Sequence, residues 1–355
     1  MDKRTPCIDS VKGIACLAVI LIHYNFPGEL GIAVKTICRF AVPFFLCVSG
    51  FFLFNAKDSV HYRKSGVRKI KKVLSLLVCS VAFYTLFDIL YNWWSNDFWN
   101  ISAYSANVLT LKKVVKFWVT NDPFVYSHLW YLLALIYCYI LMMFFKEKKS
   151  LGMWACLCPI GMLYFLAYGP YKEVLGLRAS WNISIGTETI TVYRFNFFWA
   201  RALPFFVLGI IFRNRQAFIK KINVEKAMLK IFIFLGLAVS LFERCFLNES
   251  QWYFGTILVV VSIFIWVIKY PDSGNETMTY IGRNLSMYVY IIHIAVGKAI
   301  GTLAAKEGIA DKNMYIYSKP FLIMAVSLTC AYGIYVVKEK VTAGRKVTTG
   351  FKKSA

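Results

Sequence analysis

The sequence predicts an all-α, polytopic integral membrane protein of about ten transmembrane helices, with the N- and C-termini in the cytoplasm. Of its 355 residues, 59% are hydrophobic and only 17% are charged, whereas soluble domains are about 45–50% apolar and about 25% charged. Apolar stretches of about 20 residues, the length that crosses a bilayer as a helix, recur along the chain. The basic residues concentrate in alternate connections between these stretches, as is typical of multi-pass membrane proteins.

Ten apolar stretches, each bounded by charged or turn residues, are the candidate spans. They cover residues 8–27, 37–55, 73–94, 128–145, 151–169, 197–212, 228–247, 252–268, 285–305 and 316–337. The connections between them are short except for 95–127 and 170–196, which are polar and aromatic and are expected to hold interfacial helices or loops. We therefore expect one transmembrane domain over residues 1–340, followed by a basic cytoplasmic tail over residues 341–355.

The distribution of charge predicts the orientation of these spans. The 41 Lys and Arg residues exceed the 18 Asp and Glu residues, for a formal net charge of +23. With the N-terminus inside, 26 of the 41 basic residues fall in cytoplasmic segments, 10 fall in outer ones and 5 lie within or at the ends of spans. Cytoplasmic connections carry such an excess of basic residues, and they attract anionic lipid. The positive charge therefore indicates topology and a lipid partner, and we expect no nucleic-acid partner.

The cysteines and the N-terminus add two expected absences. The 10 cysteines lie mostly inside apolar runs and are interpreted as small buried hydrophobic residues. The first apolar run continues past the length of a cleavable signal, so we expect no signal peptide.

Ionisable residues in the first span are candidates for function, because a charge in the bilayer costs several kcal/mol unless it is paired or faces water. Asp9 and Lys12 are three residues apart on one helix face and can form an ion pair. His23 lies about 16 Å beyond Lys12 along the helix axis. Two interpretations remain open. The residues take part in chemistry, or Asp9 and Lys12 anchor the helix at the lipid headgroups while His23 hydrogen-bonds a neighbouring helix.

The 4 histidines are candidates for a general base, because imidazole titrates near neutrality. His61 falls in a basic cytoplasmic connection and is expected to be solvated. His128 opens the span 128–145, where an aromatic belt is expected in any case. His293 lies deep in the span 285–305 and requires a polar partner. No two histidines are close in sequence and no cysteine accompanies them in a metal-binding pattern, so we expect no metal site.

A cytoplasmic basic run from Arg63 to Lys72 leads directly into the third span. Anionic lipid headgroups attract such a run at about 1 kcal/mol per basic residue, and this attraction alone could account for it. The more specific interpretation is a docking site for a phosphorylated donor from the cytosol, in which Arg68 makes bidentate phosphate contacts.

Several short motifs follow one another between residues 4 and 293. They are IDSVKGIA (8–15) leading to His23, RFAVPFF (39–45) with SGF (49–51), the basic stretch around Arg68 and Lys72, HLWYL (128–132), RALPFF (201–206) ending at Gly209, and YIG (280–282) followed by Ser286, Tyr290 and His293. Each is degenerate alone. Their order, together with ten spans and both ends inside, resembles the integral-membrane acyltransferase family 3, whose members include bacterial O-acetyltransferases of surface polysaccharides.

The resemblance implies roles for particular residues. The family carries a basic residue, ten intervening residues and then a histidine in its first span, and here that pair falls on Lys12 and His23. It implies that His23 is the catalytic base, assisted by Lys12 and Asp9, and that the basic stretch near Arg68 holds acyl-CoA. Lysine in place of the usual arginine keeps the charge but lacks the planar guanidinium fork, which leaves a plain electrostatic role for Lys12.

We therefore expect an acyltransferase of the inner, cytoplasmic membrane. It would move an acyl group, with acetyl as the favoured one, from cytoplasmic acyl-CoA to a hydroxyl. The acceptor would be an envelope polysaccharide, a glycolipid or a lipid-linked glycan precursor. The donor's nucleotide would bind Arg68, Lys69 and Lys72. His23 would remove the acceptor proton or briefly carry the acyl group itself. Acyl-CoA is a co-substrate in this scheme, and no permanently bound cofactor is expected.

Six further residues are candidates for orienting the acceptor or stabilising an oxyanion. They are Arg39, Arg201, Ser49, His128, Tyr290 and His293. Buried Ser and Tyr residues often only bond neighbouring helices, which is the simpler interpretation of Ser49 and Tyr290. Two other functions remain open, namely a transporter or flippase in which the same charges line a pathway, and a non-catalytic partner in envelope assembly. Inverted repeats and paired broken spans would favour transport, and the sequence has no obvious ones.

Overall fold

The computed structural model describes residues 5–53, 59–95, 110, 113, 116–118, 121, 126–144, 148–178, 180–185 and 188–351. Within these residues the regular secondary structure consists of helices and one two-stranded sheet. The helices are α1 (Pro6–His23), α2 (Gly28–Cys38), α3 (Ala41–Phe51), α4 (Ser59–Ser95), α5 (Trp130–Phe144), α6 (Lys148–Tyr168), α7 (Phe198–Arg201), α8 (Leu203–Lys221), α9 (Lys226–Phe246), α10 (Phe254–Lys269), α11 (Glu276–Tyr280), α12 (Ser286–Lys306) and α13 (Asn313–Phe351). A π-helical turn, Ile281–Leu285, joins α11 to α12.

Six helical stretches in the described part of the chain are long and apolar enough to cross a membrane. They are Pro6–His23, Gly28–Phe51, Arg63–Trp94, Ser127–Phe144, Glu276–Lys306 and Asn313–Ala343, and two shorter apolar helices cover Gly152–Tyr168 and Phe254–Lys269. The prediction of an all-α membrane protein is therefore confirmed. The predicted span 197–212 covers α7 and only the first half of α8, and the predicted span 228–247 corresponds to α9. Neither α8 nor α9 is among the six. The count of ten spans and the cytoplasmic position of both termini stay predictions.

The second predicted span, 37–55, differs from the structure. The apolar stretch begins earlier, at Gly28, and a turn at Arg39 and Phe40 divides it into α2 and α3. Proline accounts for the interruption, because its ring clashes with the carbonyl group four residues earlier in a continuous helix. For Pro43 that carbonyl belongs to Arg39. The predicted end of this span, at residues 54 and 55, lies outside the described residues.

The segment 170–196 contains strands where interfacial helices or loops were expected. β1 (Ser180–Ile185) and β2 (Glu188–Tyr193) pair antiparallel, with Ser180 opposite Tyr193. β2 is rich in β-branched residues, which favour extended backbone. The other long connection, 95–127, lies mostly outside the described residues.

The chain divides into two compact units, Met1–Ala41 with Tyr270–Ala355, and Val42–Lys269. The helix α13 extends past residue 340 to Phe351, whereas residues 352–355 of the predicted tail lie outside the described residues. The domain boundary predicted at residue 340 stays a prediction.

In the first unit, α1 packs backbone to backbone against α11 and the π-helical turn. A Cβ atom added to Gly282 would lie 1.9 Å from the carbonyl oxygen of Asp9, and one added to Gly13 would lie 2.2 Å from that of Met278. The amide of Asn275 also donates to Ser10 Oγ over 3.1 Å. Larger side chains at these two glycines would push the helices apart, so the contact depends on glycine.

In the second unit, the close approach of α3 and α8 likewise depends on two glycines. A Cβ atom on Gly50 would lie 1.9 Å from the carbonyl oxygen of Phe206, and one on Gly209 would lie 2.0 Å from that of Cys47. Small residues let membrane helices approach in this way.

A buried carboxylate fixes the start of α10 in the same unit. Glu243, on α9, accepts hydrogen bonds from the amides of Phe254 and Gly255 over 2.9 and 2.8 Å, and from the hydroxyl of Tyr171 over 2.7 Å. The first amides of a helix have no partner within the helix, and a carboxylate there also opposes the positive end of the helix dipole. Burial, followed by the hydrogen bond and charge of Glu243, raises the pKa of Tyr171, which keeps its hydroxyl protonated.

Candidate active site

The structure brings together two predicted site residues, His23 and His293. His23 is the last residue of α1, and His293 lies on α12. Their ring centroids are 5.2 Å apart and the ring planes are inclined by 52°. The two residues are far apart in sequence, so no spacing within a motif could have linked them. The candidate general base is therefore one member of an imidazole pair.

Backbone contacts determine which nitrogen of His293 carries the hydrogen. His293 is 0% exposed, and its Nδ1 lies 3.0 Å from the carbonyl oxygens of both Val289 and Tyr290. Because a carbonyl oxygen only accepts hydrogen bonds, Nδ1 is the donor. In the neutral ring the lone pair is then on Nε2, and the polar partner that the sequence required for His293 is supplied in part by its own helix.

Tyr24 holds the end of α1 against α12. Its hydroxyl donates to the carbonyl oxygen of Ile294 over 2.8 Å. A Cβ atom added to Gly297 would lie 2.0 Å from Cζ of Tyr24, so the phenol ring occupies space that only glycine leaves open. Since Tyr24 follows His23 directly, this contact also fixes the position of His23 beside α12.

Two further predicted residues lie close to the imidazole pair. The Tyr290 ring centroid is 6.5 Å from that of His293. Arg39 follows the last residue of α2, and its charge acts on His23 together with that of Lys35. The surroundings of His23 are thus positively charged, and Lys35 is a residue that the sequence analysis did not select.

At the other end of α1, the predicted ion pair is present and has a third member. Lys12 Nζ lies 3.0 Å from Asp9 Oδ1, and Arg283 Nε lies 2.9 Å from Asp9 Oδ2. Arg283 lies on the π-helical turn, and its contact with Asp9 joins two distant parts of the chain. The cluster carries one net positive charge. Sequence reasoning missed Arg283 because its partner is on another helix.

The predicted donor-binding residues lie on α4 in the second unit. Arg68 and Lys72 are exposed and four residues apart, so they share one face of the helix. Lys69 is half-buried, with its Nζ 5.7 Å from the centroid of the Tyr139 ring. Two of the three cations therefore face outward together, whereas the third packs over an aromatic ring.

Ser49 and His128, also in the second unit, make local contacts. Ser49 Oγ donates to the carbonyl oxygen of Phe45 over 2.9 Å and lies beside the hydroxyl of Tyr131. His128 is buried, with its ring centroid 5.2 Å from that of Tyr84. These contacts agree with the simpler interpretation of Ser49, in which it bonds neighbouring groups.

The surroundings of His128 include a buried carboxylate that the sequence analysis missed. Tyr84 packs on Tyr126 at 4.2 Å between ring centroids, and the hydroxyl of Tyr126 donates to Asp88 Oδ1 over 2.7 Å. Asp88 is only 8% exposed although it lies within a span. A single acidic residue in an apolar helix was the available signal.

Arg201 is buried and engaged on two sides. Its guanidinium carbon lies 3.4 Å from the centroid of the Trp130 ring, and its Nε donates to the side-chain oxygen of Gln251. The stacking and the hydrogen bond keep a buried cation in place. Its predicted role toward an acceptor stays a prediction. Among the described residues, no group of three His, Cys, Asp or Glu side chains could hold a metal ion.

Comparisons with known proteins identify the family. The family model described as "Acyltransferase domain" (Acyl_transf_3) matches residues 5–337, nearly the whole chain. The chain is also 25% identical over 353 residues to a serine/alanine racemase of Enterococcus gallinarum, and the match covers 92% of this chain and 45% of the racemase. It thus spans less than half of that relative's length. No solved structure matches significantly. The chain belongs to acyltransferase family 3.

Proposed function

We propose that the protein is an inner-membrane O-acyltransferase. It moves the acyl group of cytoplasmic acyl-CoA to a hydroxyl of a cell-envelope polysaccharide, glycolipid or lipid-linked precursor, and acetyl is the first acyl group to test. His23 acts as the general base or as a transient acyl carrier. The observation that carries the proposal is the paired and positioned imidazole of His23, 5.2 Å from that of His293, in a chain of acyltransferase family 3.

The chemistry asks for one group that can take up a proton near neutral pH. Imidazole does this without a metal. In the direct route, a nitrogen of His23 removes the proton of the acceptor hydroxyl, the oxygen attacks the thioester carbonyl, and the C–S bond breaks. The proton then passes from His23 to the CoA thiolate. In the covalent route, the His23 nitrogen attacks the thioester carbonyl and the C–S bond breaks, which releases CoA as its thiolate. The acceptor hydroxyl then attacks the acyl-imidazole, the C–N bond breaks, and the hydroxyl proton passes to the thiolate.

Exposed cations of α4 support a role in donor binding. Arg68 and Lys72 present two positive charges on one helix face, and a guanidinium matches phosphate oxygens bidentately. We propose that this pair, assisted by Lys69, holds the phosphates of acyl-CoA. Lys12 contributes positive charge at the far end of α1, where its ion pair with Asp9 holds it.

The test uses purified protein in lipid vesicles with radiolabelled acetyl-CoA and an envelope glycan fraction. Native protein is expected to transfer label to the glycan. His23→Ala is expected to lower kcat by about 10²–10⁴-fold, the usual range for losing general base catalysis. His61→Gln, at the histidine expected to be solvated, is the matched control and should keep the native rate.

Each outcome bears on a different part of the proposal. Transfer by His23→Ala at the native rate would overturn the role of His23. A native protein that transfers no label and binds no acyl-CoA would overturn the proposed donor and favour transport instead. Transfer to lipid or protein rather than glycan would overturn the acceptor class alone.

A further inference from the structure

We propose that His293 is the positioning residue of His23, and that its Nε2 accepts a hydrogen bond from one ring nitrogen of His23 so that the other nitrogen faces the acceptor hydroxyl. This inference rests on the proposed function of His23. It adds a second histidine that does not touch substrate and acts only through the first.

The backbone of α12 leaves His293 one way to act. Its Nδ1 donates to the carbonyl oxygens of Val289 and Tyr290, each at 3.0 Å. The remaining nitrogen, Nε2, is then an acceptor in the neutral ring. Ring centroids 5.2 Å apart bring the two imidazoles into contact. The structure itself records no hydrogen bond at Nε2 of His293, and a rotation of the His23 ring would bring one of its nitrogens to that atom.

Burial assigns different roles to the two histidines. His293 is 0% exposed, whereas His23 is only partly buried at the end of α1. Of the two, His23 is therefore the one that a substrate can reach. The contact of Tyr24 with Gly297 and with the Ile294 carbonyl holds the end of α1 on α12, so the separation of the rings is determined by packing.

Positive charges lie near His23, the member of the pair that would take up the proton. Lys35, on α2, and Arg39, which follows that helix, act on His23, and Lys319 Nζ lies 5.9 Å from the Tyr24 ring centroid. Like charges disfavour further protonation of nearby groups. The resting His23 ring is therefore neutral, the form that can take up the acceptor proton, whereas the neutrality of His293 follows from its complete burial.

The proton inventory of the direct route balances with His293 unchanged. The acceptor proton moves to the outward nitrogen of His23, which becomes an imidazolium, and its inward N–H stays bonded to Nε2 of His293. The outward proton later moves to the CoA thiolate. His293 gains and loses no proton, and the hydrogen bond fixes the tautomer of His23 before the reaction, as the third member of a nucleophile–base–orienter set does.

Two isosteres of histidine separate positioning from packing. His293→Gln keeps an acceptor oxygen near the Nε2 position, and His293→Asn keeps a donor near the Nδ1 position. We expect kcat of His293→Gln to remain within about fivefold of native, and kcat of His293→Asn to fall about 100-fold, the scale of a misplaced catalytic group. The KM for acyl-CoA should stay unchanged in both. Equal losses in the two variants, or a more active Asn variant, would overturn the inference.

A spectroscopic readout keeps the test independent of activity. The chain has 4 histidines, so protein labelled with ¹⁵N-histidine gives few imidazole signals, and His23→Gln identifies those of His23. We expect a single His23 tautomer in native protein and in His293→Gln, and a mixture in His293→Asn. The same mixture in native protein would overturn the inference. Absence of acyl transfer with a single tautomer would overturn the proposed function and leave the pairing intact.

Discussion

Two buried polar groups, one in each unit, illustrate how differently a membrane helix uses such a group. Glu243 accepts hydrogen bonds from Tyr171 and from the amides of Phe254 and Gly255, with both carboxylate oxygens engaged. His293 uses one nitrogen for carbonyl groups of its own helix and faces His23 with its ring. The carboxylate is committed to joining backbone elements, whereas the imidazole pair retains a group that can exchange a proton.

Burial alone therefore does not identify a catalytic residue. An ionisable group in a span is a candidate by default, yet the partners decide its role. Partners that are backbone amides at a helix start indicate a structural cap. When the partner of a buried imidazole is a second imidazole that is partly exposed, as His23 is beside His293, the contact indicates chemistry. Changes at the two sites should therefore separate stability from turnover.

The largest expected effect on stability is at Glu243. Replacement by Leu leaves the Tyr171 hydroxyl and two amides without the carboxylate, and each buried unsatisfied group costs about 1–3 kcal/mol. We expect Glu243→Leu to lower the unfolding free energy by about 3 kcal/mol. SDS titration of the reconstituted protein measures this. Glu243→Gln, which keeps the shape and one acceptor, is the matched variant and should lose less; an equal loss in both would contradict the capping role.

Tyr171→Phe is expected to have a smaller effect on stability than the changes at Glu243. It removes a single hydrogen bond to Glu243, at a cost of about 1 kcal/mol. The pKa of Tyr171 is raised from its usual 10.0 by burial and then by Glu243. Because the pKa of Tyr171 is raised by folding, its hydrogen bond to Glu243 contributes fully to stability below pH 10.0. That contribution is lost as the pH rises through the pKa of the folded state.

Thermal unfolding of native protein and of Tyr171→Phe, followed by tryptophan fluorescence, checks this pH dependence. The quantity compared is the difference between their thermal midpoints. The difference between the two proteins should be constant from about pH 7 to 9 and should shrink above about pH 10. A difference that grew with pH would show that the hydroxyl is not the donor to Glu243.

Arg283→Gln is expected to have the smallest effect. Arg283 bonds Asp9 over 2.9 Å, but its side chain is 33% exposed, and partly exposed ion pairs contribute about 0–1 kcal/mol. The loss should be abolished at about 1 M salt, where screening is strong. Unfolding in low and high salt measures it. A loss of unfolding free energy that does not depend on salt and exceeds about 2 kcal/mol would mean that Arg283 stabilises the protein by packing rather than by its charge.

Much of the fold could be predicted from the sequence, because apolar length and charge placement are local signals. The ion pair of Asp9 and Lys12 follows from a spacing of three residues and is confirmed at 3.0 Å. Two misses also had local signals: Pro43 for the turn at Arg39, and the β-branched run of residues 188–193 for the strand. The signal of Pro43 was outweighed by apolar length, which does not distinguish a broken helix from a continuous one. The strand was missed because the segment 170–196 was interpreted from its polar and aromatic composition as a connection.

The site could be predicted only in part. His23 was found from its place in the first span, and His293 was known to need a polar partner. That the two rings meet, and that Tyr24 fits the space beside Gly297, depends on contacts between α1 and α12, which are far apart in sequence. Arg283 was missed for the same reason. Such contacts follow from tertiary packing, which single-sequence patterns do not encode.

The catalytic role of His23 and the structural role of Glu243 are tested most directly by comparing His23→Gln with Glu243→Gln under identical conditions. Both proteins are reconstituted in vesicles, the folded fraction is measured, and the transfer of radiolabelled acetyl groups is expressed per folded molecule. We predict that His23→Gln unfolds like native protein and loses at least about 100-fold in rate, whereas Glu243→Gln unfolds more easily and keeps a rate within about twofold of native. A His23→Gln protein with the native rate, or a folded Glu243→Gln protein without activity, would contradict these roles.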